Sequence, residues 1–315
     1  MSSPTGKTNF QKVQEFNRAF DMVAKEPANY LAGEFDELGR PEYNAFLHGR
    51  PHLITREPKL IRLRLDLIKE ELGELQHAIA ESDYIEIRDA LADILYVVYG
   101  MGDVLGINMN VLVRNLIKSQ VTLTPSQTFQ IFERSRFYGN NDVTNGSVIG
   151  MSNWNWVQVY MELLPSMFYY CLLDVDVDSS NNIDREKLVI EMVKQLAILE
   201  ELCTSSSIVG LDIERIGEIL AKLITLDYSY SYFMGINADA DFAIVHNSNM
   251  SKLCDTESDA IATVADYEAK YKVGNSPYDS PYYYELPEIG KWIVKNKSTG
   301  KALKNIKYQK VVFTS

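Results

Sequence analysis

LIRLRLDLIKEELGELQHAIAESDYIEIRDALADILYVVYGMGDVLGIN, residues 60–108, decides the fold. Its first part places Leu60, Leu63, Leu67, Ile68, Leu72, Leu75 and Ile79 at the three- and four-residue spacing that lines one stripe of a helix. A second helix follows over 84–105 through Ile87, Leu91, Ile94, Leu95, Val98 and Leu105, and Gly106 is where it would stop. The short segment around Ser82-Asp83 makes the two helices antiparallel neighbours. Shorter helices are expected at 9–24 and 109–119, and residues 26–56 read as a long polar connection.

Acidic residues mark this helix pair. Glu70, Glu71 and Glu74 fall on one side of the first helix, and Asp89 and Asp93 on one side of the second, because three- and four-residue steps return to nearly the same face. Ala90, Leu91, Ala92, Ile94 and Leu95 surround the aspartates, so at least Asp93 borders core-facing positions and needs a partner. Carboxylates crowded together are unfavourable unless protonated or neutralised, and a hard divalent cation with oxygen ligands neutralises them; Mg²⁺ fits. Solvated surface acids are the plainer explanation of the same pattern.

The whole chain, 315 residues with 46% hydrophobic and 23% charged residues, is long enough for about two domains and rich enough in apolar side chains for a core. With 31 basic against 43 acidic residues its net charge is −12, and no basic patch offers a nucleic-acid surface. The three cysteines stand far apart without metal-binding spacing. No apolar stretch suggests a signal peptide or a membrane span, so a cytoplasmic protein is expected.

An internal repeat is legible as well. The triplet Gly-Ile-Asn occurs at 106–108 and 235–237, each time closing a helical stretch with aromatic residues before it, Tyr96 to Tyr99 and Tyr228 to Tyr232. Residues 14–20 are echoed at 130–137, and Thr124-Pro125 reads as a helix start opening the second copy. The expectation is a duplicated four-helix unit over 1–123 and 124–253, followed by a C-terminal appendage at 254–315. In that appendage 256–270 reads as a helix, and 291–294 with 302–304 as a β-hairpin turning at Asn296 to Gly300. The tyrosines at 278–284 read as packing of an irregular segment.

Glu70-Glu71-Leu72-Gly73-Glu74-Leu75, then Asp89-Ala90-Leu91-Ala92-Asp93 and Gly106-Ile107, resembles the MazG-like all-α nucleoside triphosphate pyrophosphohydrolases, in particular their phage-type phosphoribosyl-ATP pyrophosphohydrolase-like branch. Ala90 departs from the general ExxD pattern, and Asp89 with Asp93 forms DxxxD instead. Residues 245–253 are close to the family's "VHxSNMSK" segment, and Gly300 to Lys304 with Tyr308 to its "GKxLKxxxY" tail. The match is thin between 124 and 235.

The resemblance implies an all-α fold of tandem MazG-like units forming an intramolecular pseudo-dimer, with further homodimers open. It implies Mg²⁺-dependent cleavage of a (deoxy)nucleoside triphosphate to the monophosphate and pyrophosphate, with Mn²⁺ as the alternative ion. Glu71, Glu74, Asp89 and Asp93 would hold the metal, and Glu70 or Glu71 would act as general base. Ser248, Asn249, Lys252, His246, Lys301 and Lys304 would bind the nucleotide. In the second copy Lys222 stands at the place of Asp93 and Glu218 at that of Asp89, with Glu200 and Glu201 the nearest acids to the missing ExxE, and a degenerate second unit that merely scaffolds is the rival to one that supplies nucleotide ligands. A non-catalytic nucleotide-binding or interaction protein is the alternative. Asp174 to Asp184 looks like a calcium loop but fails the register in both frames, Ser179 or Asn181 taking the glycine position.

Overall fold

A computed structural model describes residues 7–22, 57–119, 152–163, 184–204 and 210–313, with isolated positions and pairs between them. The connection at 26–56, the echo at 130–137, the start at Thr124-Pro125 and the acidic loop lie almost wholly outside those residues. The chain is all-α with a small β appendage. Among the described residues its helices are α1 (Asn9–Ala19), α2 (Pro58–Glu81), α3 (Tyr84–Val104), α4 (Met109–Ser119), α5 (Asn153–Leu163), α6 (Arg185–Thr204), α7 (Gly210–Phe233), α8 (Ala238–Met250) and α9 (Glu257–Lys272). Strands β1 (Pro281–Leu286) and β2 (Lys291–Asn296) follow. Among the described residues no single helix is long and apolar enough to cross a membrane.

Two compact units divide the chain, one of residues 1–11 and 24–242, the other of 12–23 and 243–315. In the first unit α2 starts with Pro58 in its first turn, where a missing N–H costs nothing. It ends at Ser82, which takes a left-handed conformation (φ 56°). Asp83 then caps α3, its carboxylate accepting from Ile85 N–H at 3.0 Å and Glu86 N–H at 3.2 Å. These two residues reverse the chain, so Ile61, Leu65, Ile68, Leu72 and Leu75 of α2 are buried as α2 packs on α3. The left-handed serine strains an L-residue, and Ser82→Gly should raise stability by about 0.5–1 kcal/mol, read as a higher melting temperature. No gain would show that the turn is held for another reason.

A second helical hairpin, α6 with α7, packs beside the first, and α7 lies against α3 and α4. The ends of α3 and α7 are built alike. Gly106 and Gly235 take φ of 69° and 71°. Ile107 N–H reaches back to Gly102 O, and Ile236 N–H to Ser231 O, both at 2.9 Å. Asn108 and Asn237 then accept from Val111 N–H and Ala240 N–H at 3.4 and 3.1 Å, starting α4 and α8.

The second unit contains the appendage. Thr256 caps α9, accepting from Asp259 N–H at 3.1 Å, and α9 packs on the two-stranded antiparallel sheet. The hairpin differs from the expected one. Strand β2 pairs with β1, Tyr283 facing Val294, so the tyrosine run forms a strand rather than an irregular segment. Alternating tyrosines suit a pleated, half-buried ribbon, and Pro281 is tolerated as its first residue. Of the expected pairing across Asn296 to Gly300, an isolated bridge between Lys295 and Ala302 is present.

Candidate active site

The helix pair α2 and α3 gathers the acidic residues as their spacing requires. Glu71 is half-buried on α2, flanked by exposed Glu70 and Glu74, and meets Asp89 and Asp93 from α3. Burial, then the negative charges of Asp93, Glu74, Glu70 and Asp89, push the Glu71 carboxyl up to about 8. Burial also raises Asp89, with Glu86, Glu74 and Asp241 adding to it. One Asp89 oxygen is buried without a hydrogen-bond partner. Ala90, the departure from ExxD, is buried in the core, so the acid of that turn is Asp89.

Whether a metal suits this site is decided by donor chemistry. All the donors are carboxylate oxygens, they repel one another, and one buried oxygen has nothing to accept from, which are the properties a hard divalent cation satisfies. Among the described residues, no group of three or more His, Cys, Asp or Glu is arranged as a ready-made cage. The fit therefore rests on charge and ligand type.

Arg88, the neighbour of Asp89, was missed by motif reading. It donates from Nε and Nη2 to the two Asp241 oxygens, each at 2.7 Å, a bidentate pair tying α3 to the start of α8. Asp241 is buried and Arg88 nearly so, and the pair holds the guanidinium pKa above its ordinary value. Local spacing carries no signal for a contact across 153 residues.

The residues expected from the sequence to bind nucleotide occupy two kinds of position. Ser248 donates to Gln309 O at 2.8 Å and its Oγ lies 3.1 Å from Tyr308 Oη, whose hydroxyl is free to donate to it, while Gln309 N–H donates to Ser251 Oγ at 2.9 Å, so these serines tether the "GKxLKxxxY" tail. His246 is buried. Lys252 Nζ donates to Asn249 Oδ1 at 2.7 Å and lies 5.9 Å from the Phe16 ring centre. Lys301 and Lys304 are exposed and lie over the rings of Tyr278 and Tyr308, at 5.8 and 4.5 Å. Phe16 stacks on Phe20, which is core.

A family model for phosphoribosyl-ATP pyrophosphohydrolase matches residues 49–120, which include all of α2, α3 and α4. "Uncharacterized protein L479" of Acanthamoeba polyphaga mimivirus is 30% identical over 304 residues, 96% of this chain and 93% of the viral protein. No solved structure matches.

Proposed function

We propose, for a chain that belongs to the phosphoribosyl-ATP pyrophosphohydrolase family of MazG-like proteins, that it hydrolyses a (deoxy)nucleoside triphosphate between the α and β phosphorus atoms, releasing the monophosphate and pyrophosphate. The family implies nucleotide pyrophosphohydrolase activity, hence a hydrolase; the triphosphate substrate and Mg²⁺ are our reading. The observation that carries it is the concentration of acids around Glu71. Such a cluster is costly in an apoprotein and useful in one that binds a cation and a polyphosphate together.

Glu71, Glu74, Asp89 and Asp93 would hold the metal, Mg²⁺ or Mn²⁺. Bound there it would neutralise charge on the phosphate oxygens and acidify a water. Of the two candidate bases, Glu71 lies inside the cluster beside the proposed metal ligands, whereas Glu70 is exposed. The bond cleaved is the α–β anhydride; water supplies the new oxygen on the α phosphorus, its proton passes to the carboxylate, and pyrophosphate leaves. Incubation with a nucleotide panel and Mg²⁺, scored for pyrophosphate, tests the reading. No turnover on any nucleotide would leave the non-catalytic alternative.

The Asn249 and Lys252 pair is proposed to bind the polyphosphate, for which an ammonium is the suitable point charge. Lys252→Ala should raise KM at least about tenfold, the loss of a charge-assisted hydrogen bond. Unchanged steady-state constants would remove Lys252 from the reaction. The tandem pseudo-dimer is likewise proposed, supported by the matching ends of α3 and α7.

A further inference from the structure

The two helical hairpins of the first unit can be compared residue by residue. Tyr99 and Tyr228 each stand seven positions before their Gly-Ile-Asn triplet, and their hydroxyls lie 3.2 Å apart. Around them the contacts come in pairs. Asn153 at the start of α5 donates to Tyr99 Oη at 3.0 Å, and Asn9 at the start of α1 donates to Tyr228 Oη at 3.3 Å. Phe10 packs on Tyr99 with ring centres 5.9 Å apart, and Trp154 on Tyr228 at 5.7 Å. Asn9 and Asn153 open similar sequences, NFQKVQEF and NWNWVQVY. Each asparagine bonds the tyrosine of the other copy, the arrangement a two-fold axis through the tyrosine pair would produce. It makes α5, rather than the echo at 130–137, the counterpart of α1.

The same separation of 129 residues that relates the tyrosines relates Asp93 to Lys222. Lys222 Nζ donates to Glu191 Oε1 at 2.8 Å, and Lys194 Nζ lies 3.6 Å from the other Glu191 oxygen. Gln195 also donates to Glu191, at 2.7 Å. Thus Glu191, rather than Glu200 or Glu201, faces Lys222 across the hairpin as Glu71 faces Asp93. Glu200 instead pairs with Arg62 at 3.2 Å. The burial of α6 agrees: Leu188 and Met192 are buried where α2 has Ile68 and Leu72, and Lys194 is exposed where α2 has Glu74. The hairpin is longer by nine residues between the paired positions, 31 against 22, which fits roughly one added turn per helix and a longer link.

We propose that the second hairpin is a copy of the first in which the ammonium groups of Lys222 and Lys194, held against Glu191, take the place of the divalent cation. The copy then carries its cation in covalent form. Two of four acids have become lysines, Glu71 persists as Glu191, and the Asp89 position is Glu218. Glu191 shows the result: although burial alone would raise its carboxyl, the Lys222 and Gln195 hydrogen bonds and the lysine charges hold it below the usual range. One chain would therefore have one metal centre. The inference rests on the metal reading of the first hairpin.

The test is Mn²⁺ binding to the full chain, followed by paramagnetic resonance of the free ion and by thermal melting. Asp93→Asn should lose the Mn²⁺ that wild type binds. Adding Lys194→Glu and Lys222→Asp to that variant should restore binding of one Mn²⁺ per chain and make its melting temperature rise with Mn²⁺. A folded triple variant that takes up no Mn²⁺ overturns the inference. Wild type that takes up none overturns instead the metal reading of the first hairpin, so the two failures differ. Should the triple variant not fold, Lys222→Met is measured alone and with Glu191→Gln. The single change should lower the melting temperature by several degrees, and the second should recover most of the loss. No recovery would show that Lys222 is not the counter-ion of Glu191, and would also overturn the inference.

Discussion

Asp93→Ala and Glu74→Ala should each lower pyrophosphate release at least about a hundredfold on every nucleotide the protein accepts, with the helical signal unchanged. Both carboxylates are among the charges that raise Glu71. Removing either takes away a proposed metal ligand, and with it the charge that would neutralise the phosphate oxygens and acidify the attacking water. Neither change should unfold the chain. Glu74 is exposed, and Asp93 is flanked by a core of Leu72, Leu75, Ile94 and Leu95 that the substitution leaves in place. Added Mn²⁺ should stabilise wild type against heat and either variant much less. Turnover retained at wild-type level in both variants would end the enzymatic reading of this cluster.

Asp227→Asn should stabilise the protein at neutral pH and flatten its stability against pH. Asp227 is fully buried on α7, neither carboxylate oxygen has a hydrogen-bond partner, and burial alone raises its pKa well above the ordinary value. The sign follows from linkage. A carboxyl whose folded pKa exceeds the unfolded one contributes stability that is fully present below the unfolded pKa, about 3.9, and is lost as pH rises towards the folded value. Within that window a single group changes stability by about 1.4 kcal/mol per pH unit. Asparagine has nearly the same shape and does not ionise, so this loss disappears. Denaturant melts from pH 4 to pH 8 measure it. A variant no more stable than wild type at pH 7, with an unchanged slope, would mean that Asp227 ionises without penalty in the native state.

What could be read in advance depended on how local its cause was. Apolar spacing placed α2, α3 and α4 within a few residues, because an amphipathic stripe is a property of consecutive side chains. The acids at 70–74 and 89–93 could be grouped for the same reason, since a two-residue link leaves little choice in how α2 and α3 meet. Strand β1 was not legible: a tyrosine run between prolines has no single preferred state until a partner strand supplies its hydrogen bonds. Nor was the Arg88 to Asp241 pair, which joins distant positions.

The repeat shows where that boundary falls. The amino-acid order alone settles that two helical segments end in Gly-Ile-Asn and that Lys222 stands at the place of Asp93, because the count back from a helix end is preserved. It also determined the all-α class and the acid cluster. The packed fold was needed to tell which acid faces Lys222, since nine extra residues separate the paired positions in the second hairpin and no local count can cross such an insertion. It likewise decided that Asn9 and Asn153 bond each other's tyrosine across the copies. Helical periodicity is fixed by neighbours along the chain, whereas the pairing of charges and hydroxyls is fixed by which surfaces pack, and packing brings together residues whose separation in sequence carries no physical constraint.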